Sequence, residues 1–252
     1  MITAAFIQAR YGSTRFPGKP LLLLEGKTVL ERVVERVRYC KQVDDVFVLT
    51  TISRQDLQLV RLCAERDVRV FCGAEEDVLD RFYQAAKLIG PAHIVRITAD
   101  CPLLDTTIVD QVIALHLDHG SDYCSNTLVE RYPDGEDVEI FTFEALRRTW
   151  QQAALTSERE HVTPFIRKHP ELFKHASLEF PQDLSHMRWT LDYDDDYDFV
   201  KKVYNALYPN NHFFGMYEIL KLLETDPTVS KVNAHHMRNE GYQKSLREDR
   251  SV

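Results

Sequence analysis

The sequence has no closely spaced cysteine pair. Its five cysteines, Cys40, Cys63, Cys72, Cys101 and Cys124, are odd in number and far apart, with no C-x-x-C motif. The thiols are therefore expected to be reduced and mostly buried as small apolar residues. No apolar run approaches the roughly 18 residues of a membrane span. The start, Met1-Ile2-Thr3, lacks the basic region of a signal peptide, so the expected compartment is the cytoplasm. Positive charge is also short: 31 Lys and Arg against 39 Asp and Glu leave a net charge of −8. Neither nucleic acid nor an anionic membrane suits such a protein as main partner, since both favour a basic face. His116 and His119 have no ligand partners nearby in sequence, and His235-His236 lies in a polar stretch, so zinc is not expected. Without internal repeats, low-complexity segments or a linker, the 252 residues read as one large α/β domain.

The two common phosphate-binding motifs are missing as well. In a P-loop, G-x-x-x-x-G-K is followed by Ser or Thr, but Gly12 and Gly18 lie one residue too far apart and Lys19 is followed by Pro20. The dinucleotide fingerprint G-x-G-x-x-G is absent too. What is present is the loop Gln8-Ala9-Arg10-Tyr11-Gly12-Ser13-Thr14-Arg15-Phe16-Pro17-Gly18-Lys19, directly after an apolar run, Ile2 to Ile7, that reads as a buried strand. Its two glycines permit close backbone approach or positive φ, and Arg10, Arg15 and Lys19 concentrate three cations in an otherwise acidic chain. The same residues could form a solvated basic turn. Placement at the carboxyl end of a strand favours a polyphosphate site, because open α/β sheets bind ligands there.

Strands and helices then alternate. Thr28 and Glu31 form a capping box ahead of an apolar stripe Val29, Val33, Val37. Val46 to Leu49 is a second strand, followed by a helix from about 54 to 66. Val68 to Phe71 is a third strand, Val78 to Ile89 a helix, His93 to Thr98 a fourth strand, and Thr106 to Leu117 a helix stopped at Gly120. This alternation implies a doubly wound, mainly parallel α/β sheet. After Gly120 the expected elements are a strand at Val138 to Phe141, helices at 144–154 and 157–167, strands at 173–180 and 187–191, and helices at 195–207 and 216–224. A polar tail from Arg238 is expected to be disordered, and Trp150 and Trp189 are expected in the core.

Asp100 follows the fourth strand, so a parallel sheet sets it beside the cationic loop. A carboxylate facing a phosphate site calls for a divalent cation between them or a direct pair with Arg or Lys. Magnesium is the expected ion, since it is commonly held by one or two carboxylates plus substrate phosphates. The other role open to Asp100 is a helix cap. A second metal carboxylate must come from Asp192, Asp194, Asp195, Asp196 or Asp198, most of which suit the first turn of a helix through its dipole. Asp192 stands apart by ending the expected strand 187–191. Asp192-Tyr193-Asp194 also matches the D-x-D metal motif of nucleotide-sugar glycosyltransferases, and a non-catalytic nucleotide-binding regulator would need the same loop.

The pattern R-x-G-S-x-R-x-P-G-K-P from Arg10 to Pro20 resembles the signature loop of the cytidylyltransferases that make CMP-activated acidic sugars, above all the spore coat polysaccharide biosynthesis protein F branch. Further matches are Arg96 to Asp105, Asp134-Gly135-Glu136-Asp137-Val138-Glu139, Arg159-Glu160-His161-Val162-Thr163-Pro164 and Trp189-Thr190-Leu191-Asp192, in the family's order. The resemblance implies a Rossmann-like nucleotidyltransferase fold related to GT-A enzymes. Part of residues 120–190 would form a small acceptor-binding and dimer-forming insertion. It also implies transfer of CMP from CTP to a small acidic acceptor, with Mg2+ on Asp100 and Asp192, in a homodimer. Arg10, Arg15 and Lys19 would hold the triphosphate, with Gly12 and Ser13 adding backbone and hydroxyl contacts; Arg10, Lys19 and Asp100 would be the catalytic groups. The nucleobase would lie near Gln8, Ala9, Thr50 or Thr51, Asp77 and Arg81, although Asp77 and Arg81 also suit a helix start with a solvated partner. The acceptor would lie against Asp137, Glu139, Arg159, Glu160 and His161, with Arg159 open to an acceptor carboxylate, phosphate or phosphonate or to a surface ion pair. Synthetases for CMP-Kdo and CMP-sialic acid usually carry a glutamine just before the metal aspartate. This chain has Arg96-Ile97-Thr98-Ala99 instead, which argues against those two acceptors.

Overall fold

The computed structural model describes residues 1–251. Its first half runs β1 (Thr3–Gln8), a short hairpin of β2 (Leu23–Leu24) and β3 (Lys27–Thr28), α1 (Val29–Tyr39), β4 (Asp45–Thr51), α2 (Leu57–Glu65), β5 (Arg69–Gly73), α3 (Val78–Ile89), β6 (His93–Thr98) and α4 (Thr106–His119). The capping box forms as expected: the Thr28 side chain accepts from the Glu31 amide at 3.2 Å, and the Glu31 carboxylate accepts from the Thr28 amide at 2.7 Å. Gly120 stops α4 in the left-handed conformation, but the N-cap is Asp105, which accepts from the Thr107 amide at 2.7 Å.

Four of these strands pair in parallel in the order β5-β4-β1-β6. Successive side chains of β1 point to opposite faces, so Ala5 and Ile7 join the apolar cluster under α1, α2 and α4, while Ala4 and Phe6 join the cluster under α3. Burial on both faces is why the strand reads as an unbroken apolar run. The winding reverses between β1 and β6, which opens a crevice at their carboxyl ends. Gln8 is in register with Thr98, and the Ala99 amide donates to the Gln8 carbonyl at 2.9 Å. The cationic loop and the Asp100 loop therefore leave the sheet side by side.

The second half supplies β7 (Tyr123–Ser125), β8 (Glu139–Thr142), α5 (Phe143–Gln152), α6 (Thr156–His161), α7 (Pro164–Lys168), β9 (His175–Ser177), α8 (Asp194–Leu207), α9 (Met216–Thr225), α10 (Pro227–Ser230) and α11 (Glu240–Arg247). The sheet continues β6-β8-β7-β9, and β8 alone runs against its neighbours. Residues 120–190 thus contribute three strands to the same seven-stranded sheet. Trp189 is buried in the core, and Trp150 packs at its edge, stacked on Tyr83. No helix among the described residues is long and apolar enough to cross a membrane.

Four expected elements differ. The single helix over 157–167 is two, because Val162 takes φ 70° and Pro164, which has no N–H to continue the first helix, opens the second. The strand at 173–180 shrinks to three residues. The segment 187–191 forms no strand; it pairs through one bridge between Asp134 and Arg188. The tail, expected to be disordered, contains α11, which packs against α6. The Asp249 carboxylate tethers it there, accepting from the Ser157 and Thr156 hydroxyls at 2.7 and 3.0 Å.

Candidate active site

The cationic loop is held from below by Asp56. This buried carboxylate accepts from the Tyr11 amide at 2.6 Å, from the Thr51 amide at 3.2 Å and from the Thr51 hydroxyl. The loop then folds back on itself, the Tyr11 carbonyl accepting from the amides of Ser13 and Gly18, each at 2.9 Å. Gly18 has φ 76°, where a side chain is strained. Gly12 does not have positive φ, and an added Cβ there would meet only Gln55 at 3.7 Å. The turn delivers Lys19 into the interior as the first residue of a 3-10 turn. Its ammonium donates to Asp100 Oδ2, Asp192 Oδ1 and the Leu191 carbonyl, each at 2.8 Å.

Three loops meet at this ammonium, and the backbone explains how. The Leu191 amide and the Thr190 hydroxyl donate to the Asp100 carbonyl at 2.9 and 3.3 Å, which brings Asp192 beside Asp100 without a strand. The same extended segment exchanges bonds with Asp134, whose carbonyl accepts from Trp189 and whose amide donates to Met187. Gly135 lies so close that a Cβ would sit 2.6 Å from the Thr190 nitrogen, and its φ is 110°. The D-G-E-D stretch is therefore the clamp that seats Asp192.

The electrostatics follow from that convergence. Burial alone would raise the Asp100 pKa, but the Lys19 ammonium outweighs it and brings the acid down to about 2. Burial likewise works against the Lys19 charge, and the two aspartates more than restore it, so Lys19 titrates above its ordinary range. Asp192 accepts from Lys19 and Arg15, whose guanidinium lies 2.7 Å from Oδ2, with Arg188 at 3.5 Å. Arg15 also lies over the Tyr193 ring. Asp100 Oδ1 faces no cation among the described residues, and the Cys101 thiol lies 3.6 Å from it. Asp194, the second acid of the D-x-D pattern, is exposed.

The remaining expected residues divide. Arg10 is exposed and makes no ion pair among the described residues, and Ser13 Oγ accepts only from the Phe16 amide at 3.4 Å. The Ala9 amide is tied to the Leu49 carbonyl at 3.0 Å, whereas the buried Thr50 hydroxyl has no partner among the described residues. Arg81 is not a solvated partner: it is buried and donates to the Ala74 and Glu75 carbonyls, so it fixes the turn before α3. Burial and nearby Arg10 lower its pKa to about 10. Asp77 caps α3, accepting from the Asp80 amide, and takes the guanidinium of Arg159 at 2.7 Å. Arg159 spends its other donors on the Trp150 and Ala153 carbonyls. It makes an ion pair between α3 and α6 and is not free for an acceptor.

Of the residues expected to face an acceptor, Glu139 is enclosed, accepting from Arg96 and from the Tyr123 and Thr163 hydroxyls, each at 2.6 Å. Arg96 also reaches the Gln8 side chain at 3.2 Å and so joins Glu139 to the first loop. Glu160 and His161 both meet the Ser245 hydroxyl of α11, at 2.8 and 2.9 Å. Burial, with Arg96 and Arg10 nearby, holds His161 neutral with a pKa of about 4. Asp137 pairs with Arg238 at 2.7 Å.

Residue patterns gave no signal for Asp56, Arg188, Arg238 and Arg167; Asp134 entered only as part of a matched motif, and Asp196 only among the acids at a helix start. Arg167 is exposed, donates only to the Thr127 carbonyl at 3.2 Å and makes no ion pair among the described residues. Burial of its surroundings opposes the charge, yet Tyr123 and Glu139 nearby raise its pKa overall.

Asp134 lies 3.3 Å from Arg188, yet burial and Asp137 outweigh Arg238 and Arg188 and lift its pKa to about 7. A carboxyl raised on folding stabilises the fold below its unfolded pKa of about 4, and that contribution is lost as pH rises through its folded value. Asp134→Asn should therefore flatten the loss of stability between about pH 5 and 8, at most about 1.4 kcal/mol per pH unit for one proton. Urea midpoints across that range check this; an unchanged slope would show that Asp134 is ionised throughout.

A cationic loop facing a carboxylate pair, at the point where an open parallel sheet reverses its winding, defines an α/β protein with a nucleotide-phosphate site. The sequence profile of the family described as cytidylyltransferase matches residues 4–223, and the chain belongs to that family. An uncharacterized protein of Methanocaldococcus jannaschii is 38% identical over 240 residues, covering 94% of this chain and 96% of its own. The spore coat polysaccharide biosynthesis protein SpsF of Bacillus subtilis is 38% identical over 205 residues, 79% of this chain and 84% of its own. The solved structure of a cytidylyltransferase from Leptospira borgpetersenii superposes with a TM-score of 0.88 at 30% identity, covering 94% of this chain and 98% of the other.

Proposed function

We propose that the protein is a magnesium-dependent cytidylyltransferase that transfers CMP from CTP to an acidic sugar or similar small acid, releasing pyrophosphate, for surface glycan synthesis. The observation that carries this reading is the bridging of Asp100 and Asp192 by Lys19 beside a loop with two further arginines. An acceptor oxygen attacks the α-phosphate, the new P–O bond forms in line with the one that breaks, and the pyrophosphate leaves. Catalysis of this kind rests on positioning and on stabilising negative charge. Arg10 and Arg15 bind the triphosphate, Lys19, whose three N–H groups are held by Asp100, Asp192 and Leu191, adds its charge beside the leaving group, and Gly12 and Ser13 line the backbone approach.

The donor set fits magnesium, which favours carboxylate oxygens combined with phosphates. Asp100 Oδ1 faces no cation among the described residues, and Asp192 Oδ2 would have to exchange its pair with Arg15 for the ion, with Arg188 still 3.5 Å away. When bound, the ion supplies Lewis-acid polarisation of the α-phosphate and orients it. Arg167, exposed and without an ion pair among the described residues, is open to the acceptor's anionic group, whereas Arg159 is held by Asp77.

Thermal unfolding with CTP, UTP, ATP and GTP, each with and without magnesium, tests the reading. CTP at 100 times its dissociation constant should add about 2.7 kcal/mol of stability, enhanced by magnesium and not matched by the other nucleotides. In Asp100→Ala the magnesium enhancement should vanish. Equal stabilisation by all four nucleotides, or none, would overturn the assignment.

A further inference from the structure

The two histidines at 235 and 236, without ligand partners in sequence, gain one in space. His236 Nε2 lies 2.9 and 3.0 Å from the two oxygens of Asp195, and His235 Nε2 lies 3.2 Å from Oδ2 of the same carboxylate. One ligand atom from each of the three falls within 4.8 Å of the others, the only such group of His, Cys, Asp and Glu among the described residues. The His236 ring is stacked on Tyr193 with centroids 4.1 Å apart and an interplanar angle of 6°, which fixes the direction of its nitrogen. We propose that Asp195, His235 and His236 bind a divalent transition-metal ion such as zinc, separate from the site at Asp100 and Asp192, and that the ion clasps the C-terminal segment to the start of α8.

Two imidazole nitrogens and one carboxylate oxygen suit zinc and its neighbours, while magnesium prefers oxygen ligands alone. The Asp195 carboxylate also accepts from the Asp196 amide at 2.9 Å, and a shared cation would give both rings and this carboxylate one common centre. His235 is exposed, so water can complete the coordination.

The location gives the clasp a consequence. Beyond His236 the chain crosses residues expected to face an acceptor. Arg238 pairs with Asp137 at 2.7 Å, Glu240 accepts from the Tyr193 hydroxyl at 2.6 Å, and Ser245 contacts Glu160 and His161. Fixing residues 235 and 236 fixes where that crossing begins.

The test is independent of the cytidylyltransferase reading. Protein stripped with chelator is titrated with zinc by calorimetry, with magnesium as control. Amide exchange over residues 233–250 is followed in parallel. Wild type should take up one equivalent of zinc and slow its exchange in that segment. Asp195→Asn and the double variant His235→Ala/His236→Ala should each weaken uptake by more than the roughly 10–100-fold that loss of an outer-shell partner costs. His169→Ala, which removes another His–carboxylate neighbour pair, that with Glu171 at 2.8 Å, should change nothing. Failure to bind zinc, uptake that survives the double variant, or equal loss in His169→Ala would each overturn the site. CTP-dependent stabilisation measured on the same variants reports separately on the nucleotide site.

Discussion

Lys19→Met is expected to lower turnover, read as pyrophosphate release from CTP with a sugar-acid acceptor, by about 10³-fold. Removing one preorganised charge-stabilising donor costs about 10²–10³ in rate. Lys19 does more than one donor's work, because its ammonium also holds Asp100 and Asp192 in position. The variant's fold should survive, since Asp192 retains Arg15 and Arg188 and Asp100 is partly open to solvent. A second readout separates the charge from the geometry. Asp100 is held at about 2 by Lys19 against the cost of its burial. An acid with a depressed folded pKa stabilises the protein above its unfolded value near 4 and loses that contribution as pH falls toward 2. In Lys19→Met the Asp100 carboxyl should titrate at higher pH, and the acid limb of unfolding should begin earlier. Turnover within tenfold of wild type would make Lys19 a structural strut and move the chemistry to Arg10 and Arg15.

The opening of this site was legible because its signals are local. An apolar run followed by three cations places a strand and a loop, and parallel pairing of β1 with β6 then puts Asp100 beside that loop. The framing helices announced themselves through caps and apolar stripes of their own. What was illegible depends on partners far along the chain. Arg159 stayed open between an acceptor and an ion pair because Asp77, 82 residues away, is no part of its pattern. The segment 187–191 alternates like a strand, but its backbone bonds go to Asp134 and Asp100, so it becomes a hook. The tail is polar and buries no residue of α11, so nothing apolar marked it; Ser245 and Asp249 dock it through α6. Val162 broke a helix for a reason no helix scale contains, a left-handed backbone at a β-branched residue immediately before Thr163-Pro164.

Asp196→Ala should destabilise the protein by about 3–5 kcal/mol, the usual cost of breaking a buried ion pair by removing one partner. Asp196 is fully buried and accepts from Arg188 twice at 2.8 Å, from Asn233 at 2.8 Å and from the Asp192 and Tyr193 amides at 2.8 and 3.0 Å. Truncation leaves a buried guanidinium with Asp134, Asp192 and the Met237 carbonyl beside it, and two amides at the start of α8 without their acceptor. Asp196→Asn keeps an acceptor oxygen and should cost less. Burial would raise the Asp196 pKa, but the bonds from Arg188 and Asn233 outweigh it, so the acid is depressed on folding. Its contribution is present above about pH 4 and lost as pH falls below that, so the alanine variant should also unfold with a shallower acid limb. Urea unfolding at pH 7 and pH 3 measures both effects. A change below about 1 kcal/mol would mean that the desolvation of Arg188 and Asp196 already cancels their attraction. The network would then serve position rather than stability, holding Asp192 toward Lys19, and Asp196→Ala should lose turnover while keeping its melting temperature.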